Sequence, residues 1–336
     1  LVGFADIDGR GIEGIELAYE DELRGADRRV DAIRDRRGHV VFADEMQDDR
    51  SMQGQNVVLT IDKAIQHVAE RELALGVRTF EARGGSVVVM DPSNGEILAL
   101  ANYPPFNPNE PSKHPTAHRR NRALVDRFEP GSTVKPFTMA AALSAGTVKP
   151  NQSINCENGV AKIGGRRLHD AHPYEWLTPT QILAHSSNIG TAKIALDLGK
   201  KELYRAFRRF GFGEPTGIGV PGETAGILRH YRRWYEIDTA TVSFGQGMSV
   251  TNVQLATAMG AIANGGRLMQ PMLVRRMTDG HGATIHENKP RVRRQVVPRR
   301  IANLVGQMLT AVTEPGGTAV EASVDGYLVA GKTGTA

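Results

Sequence analysis

Cysteine occurs once in this chain of 336 residues, at Cys156. A single thiol excludes an internal disulfide framework and a thiolate metal site. Aromatic residues are scarce, at 6%, which leaves little to stack against bases, so no nucleic-acid partner is expected. Charge of one sign is also lacking, since 41 basic residues stand against 37 acidic ones for a net of +4. Basic clusters such as Arg291, Arg293, Arg294, Arg299 and Arg300 read as solvated surface. No apolar run approaches the roughly 20 residues of a membrane helix. No signal peptide precedes Leu1, and the first residue is not methionine. The expectation is a piece of a longer protein, with any anchor or export signal upstream.

What is present is ordinary globular material. Forty per cent of the residues are apolar, enough for one large domain with an appendage or for two domains. Residues 1–52 carry charge, glycine and a hairpin-like DRRGHVVF, too little apolar material for a core of their own. From Thr60 a helical pattern opens, with Ile61, Ile65, Val68 and Ala69 on one face and Asp62 in the first turn. GSVVVMDPSNGEILALAN then places two apolar runs around a turn, a hairpin signal. The runs are more continuous than alternating, which predicts a sheet covered on both faces.

A helix is expected from about Thr133 to Ala145, apolar nearly all round and therefore central. Thr178 with Gln181, and Thr251 with Gln254, read as capping boxes, and Asn264-Gly265-Gly266 as a helix stop. Residues 281–300 look like a polar surface excursion, and the closing YLVAGKTGTA like a strand.

The chemistry begins in FEPGSTVKPF, residues 128–137. Ser132 needs its proton removed before it attacks a carbonyl, and Lys135, three residues on, shares its helix face. Lysine serves as a base only when neutral, and the apolar helix behind it offers the burial that lowers its pKa. Gly131 would let a substrate approach the backbone, and Ser132 at the helix start would offer a free N–H for a developing oxyanion. Alone, the pair reads rather as a capping serine beside a solvated lysine. HSSNIG adds Ser186 and Asn188 before a helix, a hydroxyl to relay a proton and an amide to hold a carbonyl. A second S-x-N, Ser153–Asn155, lies in a polar loop and reads as a turn. Lys332, Thr333, Gly334 and Thr335 supply a cation and hydroxyls for a carboxylate, with a glycine for close contact.

S-x-x-K, S-D-N and K-T-G in that order form the joint signature of penicillin-binding proteins and class A β-lactamases. Here the order holds, with Ser187 where that form has aspartate. With GGSVVVMDPSNGEILALANYPPFNPN, NRALVDRFEPGSTVKPF, GFGEPTGIGVPGE, FGQGMSVTNVQLA and VAGKTGTA, the whole chain resembles class B penicillin-binding proteins, which are peptidoglycan D,D-transpeptidases. The NRA…DRFEPGST phrasing is similar to the septal, cell-division branch.

The resemblance implies an α+β fold, an antiparallel sheet flanked by helices. Residues 1–52 would end a non-catalytic pedestal domain, and 53–336 would form the transpeptidase domain, with two further strands and a closing helix beyond Ala336. It makes Ser132 the acylated nucleophile, Lys135 its base, Ser186 and Asn188 the second motif, and Lys332 to Thr335 the substrate-side strand. The amides of Ser132 and Thr335 would form the oxyanion hole. The implied partners are stem peptides ending in D-Ala-D-Ala, β-lactams, a membrane glycan polymerase and other division proteins. The implied location is the outer side of the bacterial inner membrane, and no metal or cofactor is implied.

Two rivals share the trio. A serine β-lactamase of class A would carry a deacylating glutamate in E-x-x-L-N; that motif is missing, and Glu236 sits in a different context, EIDTA. A penicillin-sensing receptor or scaffold shares the trio too, and the pedestal-like start and whole-length likeness favour the transpeptidase over it. His169 and His172 in HDAH lack a third ligand for a metal, and His185 reads as a packing or surface residue. Trp176 and Phe244 are candidates for the cleft or the core.

Overall fold

The structure, a computed structural model, describes residues 1–25, 32–43 and 53–335. Strand Gly85–Met90 pairs antiparallel with strand Ile97–Tyr103, in register from Gly85 against Tyr103 to Val89 against Ala99, with a register shift before Met90 against Ile97. The pleat sends alternate residues to opposite faces. Val87, Val89, Ala99 and Ala101 meet Ile65, Ala69 and Leu73 of helix Lys63–Thr79. On the other face Val88, Met90 and Leu100 cluster with Leu124 and with Val253 of helix Asn252–Ala263. Both faces are covered, which is why these strands lack polar alternation.

Asp62 caps helix Lys63–Thr79 rather than lying within its first turn. Its carboxylate accepts from the amides of Ala64 and Ile65 at 2.9 and 3.1 Å, satisfying two of the free donors every helix start exposes. Val68 faces out. Thr60 follows strand Asn56–Leu59 and lies in no helix: its hydroxyl reaches the carbonyls of Ile97 and Met272, at 2.8 and 2.9 Å. That links the first hairpin to a second antiparallel group, in which strand Val274–Thr278 lies between strands Asn56–Leu59 and Thr284–Glu287.

Residues 281–300 are more structured than their polarity predicts. Besides Thr284–Glu287 they contain strand Val292–Gln295, paired with Arg267–Met269, and bury Val296 and Val297. Two arginines expected in solvent bind protein here. Arg293 donates to the carbonyls of Pro215 and Thr216, and both Arg293 and Arg294 pair with Glu214. The backbone ladder, not the side-chain pattern, made this segment regular.

The helical side is organised by helix Lys135–Ala145, in which every residue from Lys135 to Leu143 is buried. Phe137 packs on Phe210 and Phe212, with ring centroids 4.8 and 5.1 Å apart. Helices Asn188–Leu198, Lys200–Arg209 and Arg299–Thr310 surround it. Both expected capping boxes form, opening helices Pro179–Ala184 and Asn252–Ala263, and the latter stops at Asn264 as the glycines require. Ser153–Asn155 is not a turn: Ile154 and Asn155 pair with Leu177 and Trp176.

At the N-terminal end, strand Ala32–Arg34 pairs with Val40–Ala43, the hairpin expected from DRRGHVVF. Ile15 is buried with Ile97, Leu124 and Leu273, so this end shares the main body's core. The other correction concerns YLVAGKTGTA. Residues 327–335 form no strand, because their neighbours among the described residues are a helix end and a turn, which offer no row of ladder partners. They are held by isolated bonds instead, Gly331 N–H to Leu309 O at 3.2 Å and the Thr313 hydroxyl to Val329 O at 2.8 Å.

Candidate active site

Ser132 sits in a 3₁₀ turn, Gly131–Val134, and the α-helix starts at Lys135, two residues later than the pattern predicts. Pro136 falls in the first helical turn, where its missing donor costs nothing. Gly131 has φ +54°, and a methyl group there would lie 2.2 Å from the carbonyl oxygen of Thr335. Gly245, φ +88°, is pressed as closely on the carbonyl of Gly131. The space read as room for a substrate is therefore filled by the backbone of the third motif. Gly131→Ala should cost about 2 kcal/mol or more through left-handed strain and the clash together. That lowers the thermal midpoint by several degrees; an unchanged midpoint in calorimetry would show that the contact does not exist.

Lys135 is wholly buried. Its amine donates to Ser186 O at 2.5 Å and Asn188 Oδ1 at 2.8 Å, and lies 3.1 Å from Ser186 Oγ. The two oxygens without hydrogens suffice for the two N–H bonds of a neutral amine, leaving its lone pair for a hydroxyl. Burial pushes the amine well below the usual lysine range; the charge of Lys332 adds to that, and Asp170 opposes it. The sequence pattern pointed Lys135 at Ser132. In the structure its hydrogen bonds go to the second motif, and the Ser132 hydroxyl has no hydrogen-bond partner among the described residues.

Ser186 has φ +58°, a left-handed conformation uncommon outside glycine. This kink lies between helices Pro179–Ala184 and Asn188–Leu198. It turns Ser186 to the cleft and Ser187 inward, where Ser187 caps the second helix by accepting from Gly190 N–H at 2.9 Å. Asn188 is then the first helical residue, holding Lys135 with Oδ1 and donating from Nδ2 to His169 O at 3.0 Å.

Asp170 was missed from sequence. Its carboxylate accepts from Ser187 Oγ and Asn188 N–H, both at 2.5 Å, and from Ile189 N–H at 3.0 Å. In sequence, HDAH stands out only through its histidines. The available signal was Ser187 itself, a hydroxyl in place of the motif's usual carboxylate.

A cleft of about 540 Å³ opens above these groups, lined by Ser132, Ser186, Asn188, Thr333 and Thr335. Lys135 lies beneath it. Gly334 backs onto Thr133, where a Cβ would come within 2.6 Å of the side chain. Lys332 donates to Thr333 O and Oγ1 at 3.1 and 3.2 Å, and burial lowers its pKa to about 8. Thr333 in turn donates to Thr318 at 3.0 Å.

Phe244 lines the cleft and also packs with Ile163 and Ala192, so it serves both roles. Trp176 does neither, being 55% exposed. His172 and His185 line the rim, and His185 stacks on Tyr174 at 4.7 Å. Glu236 opens helix Glu236–Ser243, outside the cleft, and no Asp or Glu is among the lining residues. Among the described residues, no group of three His, Cys, Asp or Glu is placed to hold a metal.

Residues 85–336 match the family model of the penicillin binding protein transpeptidase domain. The chain is 40% identical over its whole length to the probable peptidoglycan D,D-transpeptidase PenA of Neisseria meningitidis, covering 56% of that protein. It is 37% identical over its whole length to the peptidoglycan D,D-transpeptidase FtsI of Escherichia coli, covering 55% of it. The chain thus spans little more than half the length of these relatives. Penicillin binding protein 3 of Mycobacterium tuberculosis, solved also with aztreonam and with ampicillin, superposes with a TM-score of 0.87 at 32% identity, over 100% of this chain and 73% of that one. The α+β architecture is accordingly the penicillin-binding fold expected from the three motifs. This chain belongs to the penicillin-binding protein transpeptidase family.

Proposed function

We propose that the chain carries the transpeptidase activity of a peptidoglycan D,D-transpeptidase that works through a serine acyl-enzyme. The observation that carries this reading is the buried Lys135 amine, held by Ser186 and Asn188 directly beneath a cleft that presents Ser132. Neutral Lys135 takes the Ser132 proton as Oγ attacks the carbonyl of the penultimate D-Ala of a stem peptide. The amides of Ser132 and Thr335 steady the oxyanion, and the Ser186 hydroxyl returns a proton to the departing D-Ala. An amine from a neighbouring stem then attacks the acyl-enzyme and frees Ser132. Lys332, Thr333 and Thr335 receive the donor's terminal carboxylate, while Gly334 keeps the segment close.

The PenA and FtsI relatives, both peptidoglycan D,D-transpeptidases by name, support the reaction class, and the ampicillin complex of the tuberculosis protein supports β-lactams as inhibitors. The NRA…DRFEPGST phrasing supports a septal role beside a membrane glycan polymerase and other division proteins, on the outer side of the inner membrane. Residues 1–52 are proposed as the end of the pedestal and 53–336 as the catalytic domain. No cofactor is needed for this acyl transfer.

The β-lactamase rival requires a deacylating base, and the cleft lining offers no carboxylate. Intact mass followed over time after mixing with penicillin, with peptide mapping, separates the readings. A single penicilloyl adduct on Ser132 that persists for many minutes is expected. Rapid turnover of penicillin would make the protein a β-lactamase, and no adduct at all would remove the acyl-enzyme reading.

A further inference from the structure

The second motif of this chain lacks the aspartate of the S-D-N form, yet a carboxylate still stands at its centre, supplied from another part of the chain. Asp170 comes from the loop after strand Arg166–His169, and it embraces the kink between the two helices. One oxygen accepts the Ser187 hydroxyl at 2.5 Å. The other accepts the amides of Asn188 and Ile189, at 2.5 and 3.0 Å, the first free donors of helix Asn188–Leu198. Ser187 is fixed in turn by Gly190 N–H, and the Cys156 thiol lies 3.6 Å behind it. The neighbouring backbone anchors the same point, since His169 O receives Asn188 Nδ2 at 3.0 Å.

We infer that Asp170 is a positioning residue for acylation, a displaced carboxylate that holds Ser186 and Asn188 where they grip the Lys135 amine and that keeps a negative charge behind that amine. The inference rests on the acyl-enzyme reading above. Ser186 adopts a left-handed backbone, and such strain persists only where surrounding contacts over-determine it. On its C-terminal side those contacts converge on Asp170. The charge has a second consequence. Lys135 faces a cation, Lys332, from the third motif, and an anion, Asp170, from behind the second. His172 and His185 stand at the cleft rim, and Lys193 lies on the helix that Asp170 caps. Removing the anion leaves Lys332 unopposed, so Lys135 should lose its proton at lower pH than before.

The test compares wild type, Asp170→Asn and the transposed pair Asp170→Ser/Ser187→Asp, with the rate of acylation by labelled penicillin measured across pH. Asp170→Asn keeps the shape but not the charge. Its plateau rate should fall about 10- to 100-fold, the usual effect of an outer partner that orients a working group. Its acid limb should also move to lower pH. The transposed pair restores a carboxylate to the motif's centre and should return to within a few-fold of wild type. Asp170→Asn at wild-type rate, or slowed with an unmoved acid limb, overturns the inference. A transposed pair that folds by circular dichroism yet stays slow does the same, as does failure of both variants to fold, which makes Asp170 a purely structural residue. Wild type that takes no label on Ser132 instead defeats the acyl-enzyme reading, whatever the variants do.

Discussion

Alanine at position 132 is expected to abolish covalent capture of penicillin. The cleft presents several hydroxyls, on Ser132, Ser186, Thr318, Thr333 and Thr335. Only Ser132 combines three properties: it precedes the buried helix, it stands at the positive end of that helix's dipole, and its oxygen has no hydrogen-bond partner among the described residues to hold it back. Ser186 lies close to Lys135 too, but its carbonyl and hydroxyl are already engaged with the amine. Removing a nucleophile that acts as one unit with its base costs on the order of 10⁶ in rate. Within an ordinary incubation the Ser132→Ala protein should therefore show no penicilloyl mass. The fold should survive, because the lost hydroxyl has no hydrogen bond among the described residues. An adduct of normal rate that maps to Ser186 would transfer the nucleophile's role to the second motif.

How much of this was readable in advance depends on the range of each interaction. Local signals survived. The capping boxes at Thr178 and Thr251 and the hairpin around Pro92 to Gly95 stand where the sequence put them, because their bonds close within a few residues. The three motifs were likewise visible as short strings. What escaped was long-range. Gly131 was read as space for a substrate, whereas the Thr335 carbonyl that presses on it comes from a segment distant in sequence. Helical spacing pairs Lys135 with Ser132, but it does not show the bonds of the same amine to Ser186 and Asn188, which lie on a later segment. Asp170 sits in a loop whose composition says nothing about the helix it caps. The expected strand at YLVAGKTGTA failed for a related reason. Extended propensity becomes a strand only when a neighbour supplies ladder partners, and no residue in that string encodes its neighbour.

Lys135→Met should slow acylation by more than the roughly 10²–10⁴-fold of a simple proton transfer, because the amine also organises the second motif. Methionine fills a similar volume, so the buried helix keeps its packing. The cost to stability is about 1–3 kcal/mol for each acceptor left unpaired at Ser186 O and Asn188 Oδ1, partly offset because an amine no longer has to be buried. The pH profile makes the prediction specific. Lys135 works as a base only above its own pKa, whereas Lys332 attracts a carboxylate only below its pKa of about 8. An ordinary lysine value of 10.5 at position 135 would leave almost no pH at which both conditions hold. The burial of Lys135, reinforced by the charge of Lys332, widens that window by lowering the pKa of the base. Wild type should therefore show a bell, with its alkaline side near pH 8 set by Lys332. In Lys135→Met the residual rate should lose the acid side and keep the alkaline one. A variant within tenfold of wild type, or one that keeps its acid limb, would mean that another group takes the proton from Ser132.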